Sequence, residues 1–417
     1  MSQAPHLSPA SAAEQAQGDP DCGSVGGRLW LVVLALFLST SFVRAPIPAV
    51  NEPHYLGKAK HWWDPSWCAG DFFLDSSNPH LYFYIAIGWL TKLMTLPQAA
   101  AVARVLSLGL LAGGWATLSR QLFKTGVAGL AAAALFTVEM AGGNLSGEWL
   151  IGGVESKVFA YACVLWGAAQ WLRDRPVRGG ALLAAGVAFH PVAGLWVLIA
   201  IGMAWLGRWM RGGESLQELV RSRLTPLFVL GLGTAIGLLP ALPLLMGGDP
   251  AISREADRLL LTQRVGHHTD PVLFPSSAYW YYGLLLVVWI ALLWKRHPRG
   301  PMAVVQSVVA ASLVIAAVGL LVGWLPRFSA VGWQAPWRLW LLKFYPFRLA
   351  DLALPMGLAL QATSIVENRI GSWPDGARYG VWGGIVLAAV CGTLLLPAPD
   401  ANPSGMSTED YDRRCRC

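Results

Sequence analysis

The sequence predicts an all-α membrane protein, a polytopic bundle of about eleven transmembrane helices with amphipathic helices in its first non-cytoplasmic loop. Of its 417 residues, 55% are hydrophobic and 13% are charged, whereas about a quarter of the residues in an ordinary soluble domain are charged. Long apolar runs recur along the chain, and each approaches the ~20 residues that a helix needs to cross the hydrocarbon core. Runs such as 29–38 and 313–322 are continuously apolar, which favours helices over the alternating pattern of a β-barrel.

The sequence lacks the signatures of several other classes of protein. The net charge of +7 comes without a compact basic block, so we expect no nucleic-acid partner. The six cysteines are far apart except for Cys415 and Cys417, which predicts neither a disulfide framework nor a zinc site. The chain has no Walker loop, serine-hydrolase elbow or dinucleotide fingerprint.

Three regions follow from composition. Residues 1–27 are rich in Ala, Ser, Pro and Gln and lack the order of a signal peptide, which predicts a disordered cytoplasmic tail. The transmembrane domain is expected over 28–396, and its first apolar run both anchors and targets the chain. Residues 397–417 form a C-terminal tail.

Orientation follows from short loops rich in Lys and Arg, which remain in the cytoplasm. Four such loops occur, at 120–124, 173–178, 208–223 and 295–299. With these loops inside, the predicted helices are 29–48, 99–119, 126–141, 158–172, 179–192, 193–207, 226–246, 279–294, 301–323, 350–366 and 379–396. The outer segments are then 49–98, 142–157, 247–278 and 324–349. The helix at 179–192 is short and ends in Phe189-His190-Pro191, which is compatible with a broken helix beside a cavity.

The first outer segment opens with a predicted short helix. Asn51 suits the cap and Pro53 the first turn, and the spacing places His54, Lys58 and His61 on a face of their own. We therefore expect this helix to lie on the membrane surface. The apolar run 81–96 is either a short span or a second surface helix, and we favour the surface helix because a crossing would reverse every later basic loop.

Several elements of this region occur in a recognisable order. A glutamate-bearing helix, an acidic turn, the Asn-Pro-His-Leu-Tyr-Phe-Tyr run at 78–84, a helix containing Arg104, and Arg120-Gln121-Leu122-Phe123 follow one another. Over roughly residues 29–190 this order resembles the GT-C superfamily of integral-membrane glycosyltransferases, especially the aminoarabinose transferases and protein mannosyltransferases. The resemblance implies a polyprenyl-phosphate sugar donor and a catalytic carboxylate in the first outer loop. Beyond that region only the architecture is similar.

The catalytic candidates are Glu52, Asp71 and Glu155. By the resemblance, Glu52 matches the second position of an Asp-Glu-x-x-Tyr element, and Asn51 replaces the Asp at the first position. A buried carboxylate can deprotonate an acceptor hydroxyl, so Glu52 is the preferred base and Asp71 the alternative. The resemblance also implies an acidic residue in the second outer loop, a position that Glu155 fills by order. A solvated charge pair with Lys157 explains Glu155 equally well.

The candidates for substrate and phosphate binding are cations and histidines of the outer segments. Lys343 and Arg348 precede an apolar helix on the face where positive charge is disfavoured, so we assign them to the donor's phosphate. Snorkelling to lipid headgroups is the competing explanation. Arg254 and Arg258 share one helix face that could bind a phosphate. The remaining candidates are Arg264, His267, His268, His54 and His80.

Metal binding is a secondary possibility at His267 and His268, because imidazole suits transition metals. Adjacent histidines point in different directions on regular structure, so we assign no metal ligands, and a divalent metal stays an alternative. The expected partners are the polyprenyl-phosphate sugar donor and membrane lipids, and the oligomeric state is not predicted.

The sequence thus predicts an enzyme that transfers a sugar from a polyprenyl-phosphate donor to a lipid, glycan or protein acceptor. The reaction is placed at the outer face of a bacterial-type cytoplasmic (inner) membrane. The alternatives are a transporter or lipid flippase, and a non-catalytic membrane protein, which Asn51 favours. The outer candidates are expected to line one cavity, namely Glu52, Asp71, Glu155, His267 and His268.

Overall fold

The computed structural model describes residues 21–49, 51–212, 216–246, 248–324 and 336–396, and over these ranges the chain is helical without strands. The C-terminal tail at 397–417 lies outside them, as do residues 1–20 and 325–335. Within the described ranges the first helix begins at Asp21, inside the segment predicted as the N-terminal tail.

Every predicted apolar segment overlaps a helix of the structure. Within the described ranges, the helices of seven or more residues are α1 (Asp21–Arg44), α2 (Glu52–Trp63), α3 (Leu81–Ile87), α4 (Leu96–Leu122), α5 (Gly126–Gly142), α6 (Ser156–Leu172), α7 (Pro176–Phe189), α8 (Pro191–Trp209), α9 (Leu216–Leu238), α10 (Pro250–Leu259), α11 (Ser276–Lys295), α12 (Gly300–Trp324), α13 (Pro336–Leu342), α14 (Arg348–Ile370) and α15 (Asp375–Leu395).

Eight helices in the described part of the chain are long and apolar enough to cross a membrane. They are parts of α1, α4, α8, α9, α11, α12, α14 and α15. Shorter apolar helices occur at Leu81–Leu93, Gly126–Gly142 and Pro176–Phe189. These lengths indicate a membrane protein with several crossings.

The helices pack in two groups that share a central element. In the first group α4, α6, α7 and α9 pack in succession, and in the second α14 contacts α11 and α12. Helix α5 joins the groups because it packs against α4 of the first and α14 of the second, and it also contacts α15. Helix α14 is the most enclosed of the candidate spans, with 72% of its apolar window buried.

The predicted break at Phe189-His190-Pro191 is confirmed. Helix α7 ends at Phe189 and α8 begins at Pro191, which has no amide hydrogen to continue the helical pattern. The ring Nδ1 of His190 accepts a hydrogen bond of 3.2 Å from the amide of Ala193. The histidine therefore caps the second helix.

Helix α2 forms where predicted, but its polar face is not open. Lys58 donates to the carbonyl oxygens of Phe73 and Ser76 at 2.7 and 3.0 Å. His61 contacts Asp75 at 2.9 Å. Lys58 and His61 are consequently buried beneath the turn at 64–76, so this part of the polar face is covered by the chain itself.

The apolar run 81–96 is not one continuous helix. Helix α3 ends at Ile87, and a second short helix covers Leu90–Leu93. Ile85, Trp89 and Leu93 are exposed along it, four residues apart, so they share one side. An apolar outward side on short helices is typical of a segment that lies on a membrane surface.

Candidate functional site

The Gly-rich loop between α5 and α6 is fixed to the N-terminal end of α14. The carboxylate of Asp351 accepts hydrogen bonds from the amides of Leu145 and Ser146, each at 2.8 Å. The hydroxyl of Ser146 donates to the same carboxylate at 2.6 Å. Asp351 is buried, so this arrangement satisfies a carboxylate that would otherwise be costly to bury.

Four charged side chains meet next to this anchor. The Nζ atom of Lys157 lies 3.0 Å from Glu155 and 3.5 Å from Glu148. The Nε atom of Arg348 lies 3.3 Å from the same Glu148 oxygen. The side chains of Glu148 and Lys157 are almost fully buried, whereas 12% of Glu155 and 23% of Arg348 is exposed. The cluster therefore opens to the outside at Glu155 and Arg348.

Arg348 is the least constrained cation of the cluster. Its guanidinium carbon lies 4.0 Å from the ring centroid of Tyr345, a cation–π contact that fixes the plane of the group. Among the residues that the structure describes, none accepts a hydrogen bond from its Nη1 or Nη2 atoms. These two donors are available to an anionic ligand.

Two histidines, His80 and His190, border the cluster on one side. The rings of His80 and His190 are 4.8 Å apart, and the Nδ1 atom of His80 lies 3.1 Å from the hydroxyl of Ser156. Burial lowers the pKa of His80 to about 4, with the positive charge of Arg348 a lesser cause in the same direction. His80 is therefore neutral at physiological pH.

His268 borders the other side. Its Nδ1 atom lies 2.6 Å from the carbonyl oxygen of Ser146, and because a carbonyl only accepts, Nδ1 carries the proton. Burial lowers the pKa of His268 to about 4. The close approach needs a glycine at position 147, where a Cβ atom would overlap the ring of His268 and where the backbone φ is +82°.

The structure gives Glu52 a different environment from the one expected. Its two oxygens accept from the Nε and Nη2 atoms of Arg104 at 2.5 and 2.7 Å. The amides of Ala49 and Val154 donate to the same carboxylate, each at 2.8 Å. With four hydrogen bonds and no exposed surface, the carboxylate of Glu52 does not reach the charged cluster.

Asp71 also lies apart from the cluster. Its carboxylate accepts from the amides of Phe73 and Leu74, each at 2.9 Å, in an exposed turn. This arrangement is that of a turn-stabilising aspartate. Of the three carboxylates predicted to be catalytic, the structure therefore places only Glu155 in the charged cluster.

Several predicted cations have partners of their own. Lys343 pairs with Asp257 at 2.8 Å, and Arg258 pairs with Glu255 along α10. Arg254 is exposed and bonds to the carbonyl oxygen of Pro250 at 3.2 Å. Helix α10 thus presents its arginines to the surrounding medium.

Two further predicted residues lie near the mouth of the cluster. Arg264 is exposed and close enough to affect the ionisation of His54 and Tyr345. His267 is exposed, and its ring lies 4.0 Å from that of His268. In the described ranges, no group of three or more His, Cys, Asp or Glu side chains is arranged to hold a metal ion.

Comparisons with protein-family models, with curated proteins and with solved structures gave no match. The site therefore rests on its own geometry.

Sequence reasoning did not single out Glu148, Asp351 or Tyr161, a residue of α6 close enough to Glu148 and Arg348 to interact electrostatically with both. Asp351 carried a usable signal, because an acidic residue in the first turn of an apolar membrane helix is rare without a purpose. Glu148 and Tyr161 gave no such signal. Their role depends on the loop folding back onto α14.

Proposed function

We propose that this protein transfers a sugar from a polyprenyl-phosphate donor to a lipid, glycan or protein acceptor at the outer face of a bacterial-type cytoplasmic membrane. The observation that carries the proposal is the position and bonding of Arg348. This residue is a partly exposed cation at the outer end of a membrane helix, held on Tyr345, and its two terminal donors are not used by the described residues. Such a group suits a phosphate monoester or diester embedded in a membrane.

The topology of this proposal has eleven crossings, the eight long helices together with α5, α6 and α7. The basic loops at 120–124, 173–178, 208–223 and 295–299 face the cytoplasm. Both the charged cluster and α2 are then on the outer side. Helix α2 and the two short helices after it lie along that surface.

The phosphate of the donor binds between Arg348 and Arg264 in this scheme. Arg348 supplies paired N–H donors, which match two oxygens of one phosphate. Arg264 makes no ion pair within the described residues and is exposed, so it adds attraction near the mouth. Lys343 is neutralised by Asp257, and it contributes less than Arg348.

Glu155 is the general base of the proposed reaction. Its side chain is partly exposed next to Arg348, and its Oε1 atom accepts a hydrogen bond of 3.2 Å from the side-chain Nδ2 atom of Asn51. The asparagine that replaces the family's first Asp therefore orients Glu155. A base must reach the acceptor hydroxyl, and Glu155 meets this condition whereas Glu52 is enclosed by Arg104.

The neutral histidines serve as polar walls of the site. His80 and His268 have a lowered pKa because of burial, so at neutral pH they add no charge that would compete with Arg348. They offer hydrogen bonds to an uncharged ligand group.

Reconstitution tests the proposal directly. The purified protein is placed in nanodiscs with radiolabelled undecaprenyl phosphate, and binding is measured for wild type and for Arg348→Ala. Arg254→Ala is the matched control, because Arg254 is exposed on α10. Wild-type binding that only Arg348→Ala weakens supports the proposal, and absence of wild-type binding contradicts it.

A lipid flippase is the second candidate, and one observation favours it. The Oε2 atom of Glu139, within α5, is buried and makes no hydrogen bond with any described residue. Ionisable side chains inside membrane helices often mark transport pathways. Movement of a fluorescent lipid phosphate across proteoliposomes, abolished by Glu139→Gln, would support transport instead of transfer.

A further inference from the structure

Three buried polar atoms around the charged cluster lack hydrogen-bond partners. They are the Oε2 atom of Glu148, the Nε atom of Arg348 and the hydroxyl of Tyr161. We call Glu148, Lys157, Tyr161 and the Nε side of Arg348 the inner polar site. Proteins rarely leave buried polar atoms without partners, so three at one place need an explanation.

The members of the inner polar site come from three segments that converge. Lys157 and Tyr161 are four residues apart on α6 and therefore share one face. The hydroxyl of Tyr161 is close enough to feel the charges of Glu148 and Arg348. Tyr161 is only 7% exposed and Glu148 only 1%, so both point into the interior rather than to the outside.

The ion pairs of Glu148 do not satisfy its carboxylate fully. Lys157 and Arg348 approach the same oxygen at 3.5 and 3.3 Å, longer than the ~2.8 Å of a strong charge-assisted hydrogen bond. Neither contact meets hydrogen-bond geometry. The carboxylate and the two cations are thus paired electrostatically, but the pairing leaves hydrogen-bonding capacity unused.

The charges of this region limit what it can bind. Two carboxylates, Glu148 and Glu155, offset the two cations Lys157 and Arg348. A second phosphate placed against Glu148 would meet a buried negative charge. A neutral hydroxyl group avoids that repulsion, because it donates to the carboxylate and accepts from the phenol or the guanidinium.

We infer that the inner polar site binds hydroxyl groups of the donor's sugar ring, deeper in the protein than the phosphate held by the terminal nitrogens of Arg348. The inference rests on the proposed function, since it names the part of the donor that this region recognises. Arg348 then contributes to both parts: Nε faces the sugar, and Nη1 and Nη2 face the phosphate. Tyr161 and Glu148 discriminate a sugar-bearing donor from the bare lipid phosphate.

A binding comparison in nanodiscs tests this. The probes are undecaprenyl phosphate and its esters with glucose, galactose and mannose. We expect at least one ester to bind about tenfold or more tightly than the phosphate alone. Tyr161→Phe should remove most of that gain and leave affinity for undecaprenyl phosphate within about twofold.

The results separate the two proposals. If wild type does not bind undecaprenyl phosphate, the proposed function fails. If it binds the phosphate but no ester more tightly, or if Tyr161→Phe keeps the gain, the sugar site is overturned while the phosphate site stands.

Thermal unfolding gives a second readout that needs no ligand. Removing a hydroxyl that has no partner costs no hydrogen bond, so Tyr161→Phe should leave the unfolding midpoint unchanged or raise it. Tyr281→Phe is the matched control, because its hydroxyl donates to the carbonyl oxygen of Glu139 at 2.7 Å, and it should lower the midpoint. A loss with Tyr161→Phe as large as with Tyr281→Phe would show that the Tyr161 hydroxyl is bonded in the resting protein and would overturn the inference.

Discussion

Glu52 and Arg104 form a bidentate ion pair in which neither side chain is more than 1% exposed. Arg104 also donates to the carbonyl oxygen of Ala45, so the pair joins the start of α2 to the segment that follows α1. A Cβ atom on Gly153 would lie 2.9 Å from the Cγ atom of Glu52. The pair is therefore enclosed by backbone on several sides.

Replacing either member of this pair should destabilise the fold. Removing one partner of a buried ion pair typically costs about 3 to 5 kcal/mol, so we expect Glu52→Gln and Arg104→Met to lower the thermal unfolding midpoint of the purified protein. Asp71→Asn, in an exposed turn, is the control and should change it little. A Glu52→Gln protein that is as stable as wild type but inactive would instead restore Glu52 as the base.

Glu155→Gln should separate catalysis from donor binding. Loss of a general base typically lowers the rate by about 10²- to 10⁴-fold, while binding of undecaprenyl phosphate stays near wild type. The readout is transfer from polyprenyl-phosphate sugars, monitored by loss of the labelled donor. Glu255→Gln removes an exposed carboxylate on α10 and serves as the matched control. Full activity of Glu155→Gln would exclude Glu155 as the base.

Arg348→Ala should weaken binding of undecaprenyl phosphate by about 10- to 100-fold, because charge-assisted hydrogen bonds to phosphate are among the stronger polar contacts. Lys343→Ala should have a smaller effect, since Lys343 already pairs with Asp257. Equilibrium binding in nanodiscs at two salt concentrations measures both. Equal effects of the two substitutions would indicate that headgroup attraction, not a site, holds the lipid.

The proposed topology places His267 outside and Arg211 and Arg296 inside. Single cysteines at these positions, in a background without the native cysteines, should react with a membrane-impermeant maleimide in intact cells only at position 267. All three side chains are exposed, so a lack of reaction reports sidedness. Permeabilised cells, in which all three react, are the control. Reaction at position 296 in intact cells would reverse the orientation.

Stability should fall as the pH drops from about 6.5 to about 4. Burial lowers the pKa of His80 and of His268 to about 4, so in this window the unfolded chain binds protons that the folded protein does not. Above pH 6.5 both states are neutral at these positions and the effect vanishes. Thermal midpoints measured at pH 7.5 and 5 should differ less in His80→Gln than in wild type. An unchanged difference would mean that other groups cause the acid sensitivity.

The helices were predictable because their signal is local. Continuous apolar runs bounded by Gly, Pro and charged residues predicted the segments that form α4, α5 and α12. The break at Phe189-His190-Pro191 followed from the chemistry of proline alone. The start of α1 was not predictable, since the polar residues at 21–27 give no helical periodicity.

The site was only partly predictable because its contacts are distant in sequence. Glu155 and Arg348 stood out as charges next to apolar helices, which is a local signal. That Glu52 would be enclosed by Arg104, or that Lys58 would be buried, depends on segments that meet only in the folded chain. Charge and spacing identify polar residues near a membrane. They do not show which of these residues will form ion pairs or hydrogen bonds with one another in the folded chain.

Helix α14 contains Pro355 near its N-terminal end. Because proline has no amide hydrogen, the carbonyl oxygen of Asp351 loses its helical partner there. The turns before Pro355 carry Arg348, and Asp351 in them holds the Gly-rich loop. The arginine and the loop that bears Glu148 are therefore anchored to the same short stretch of helix, so one helix end sets the geometry of the whole charged cluster.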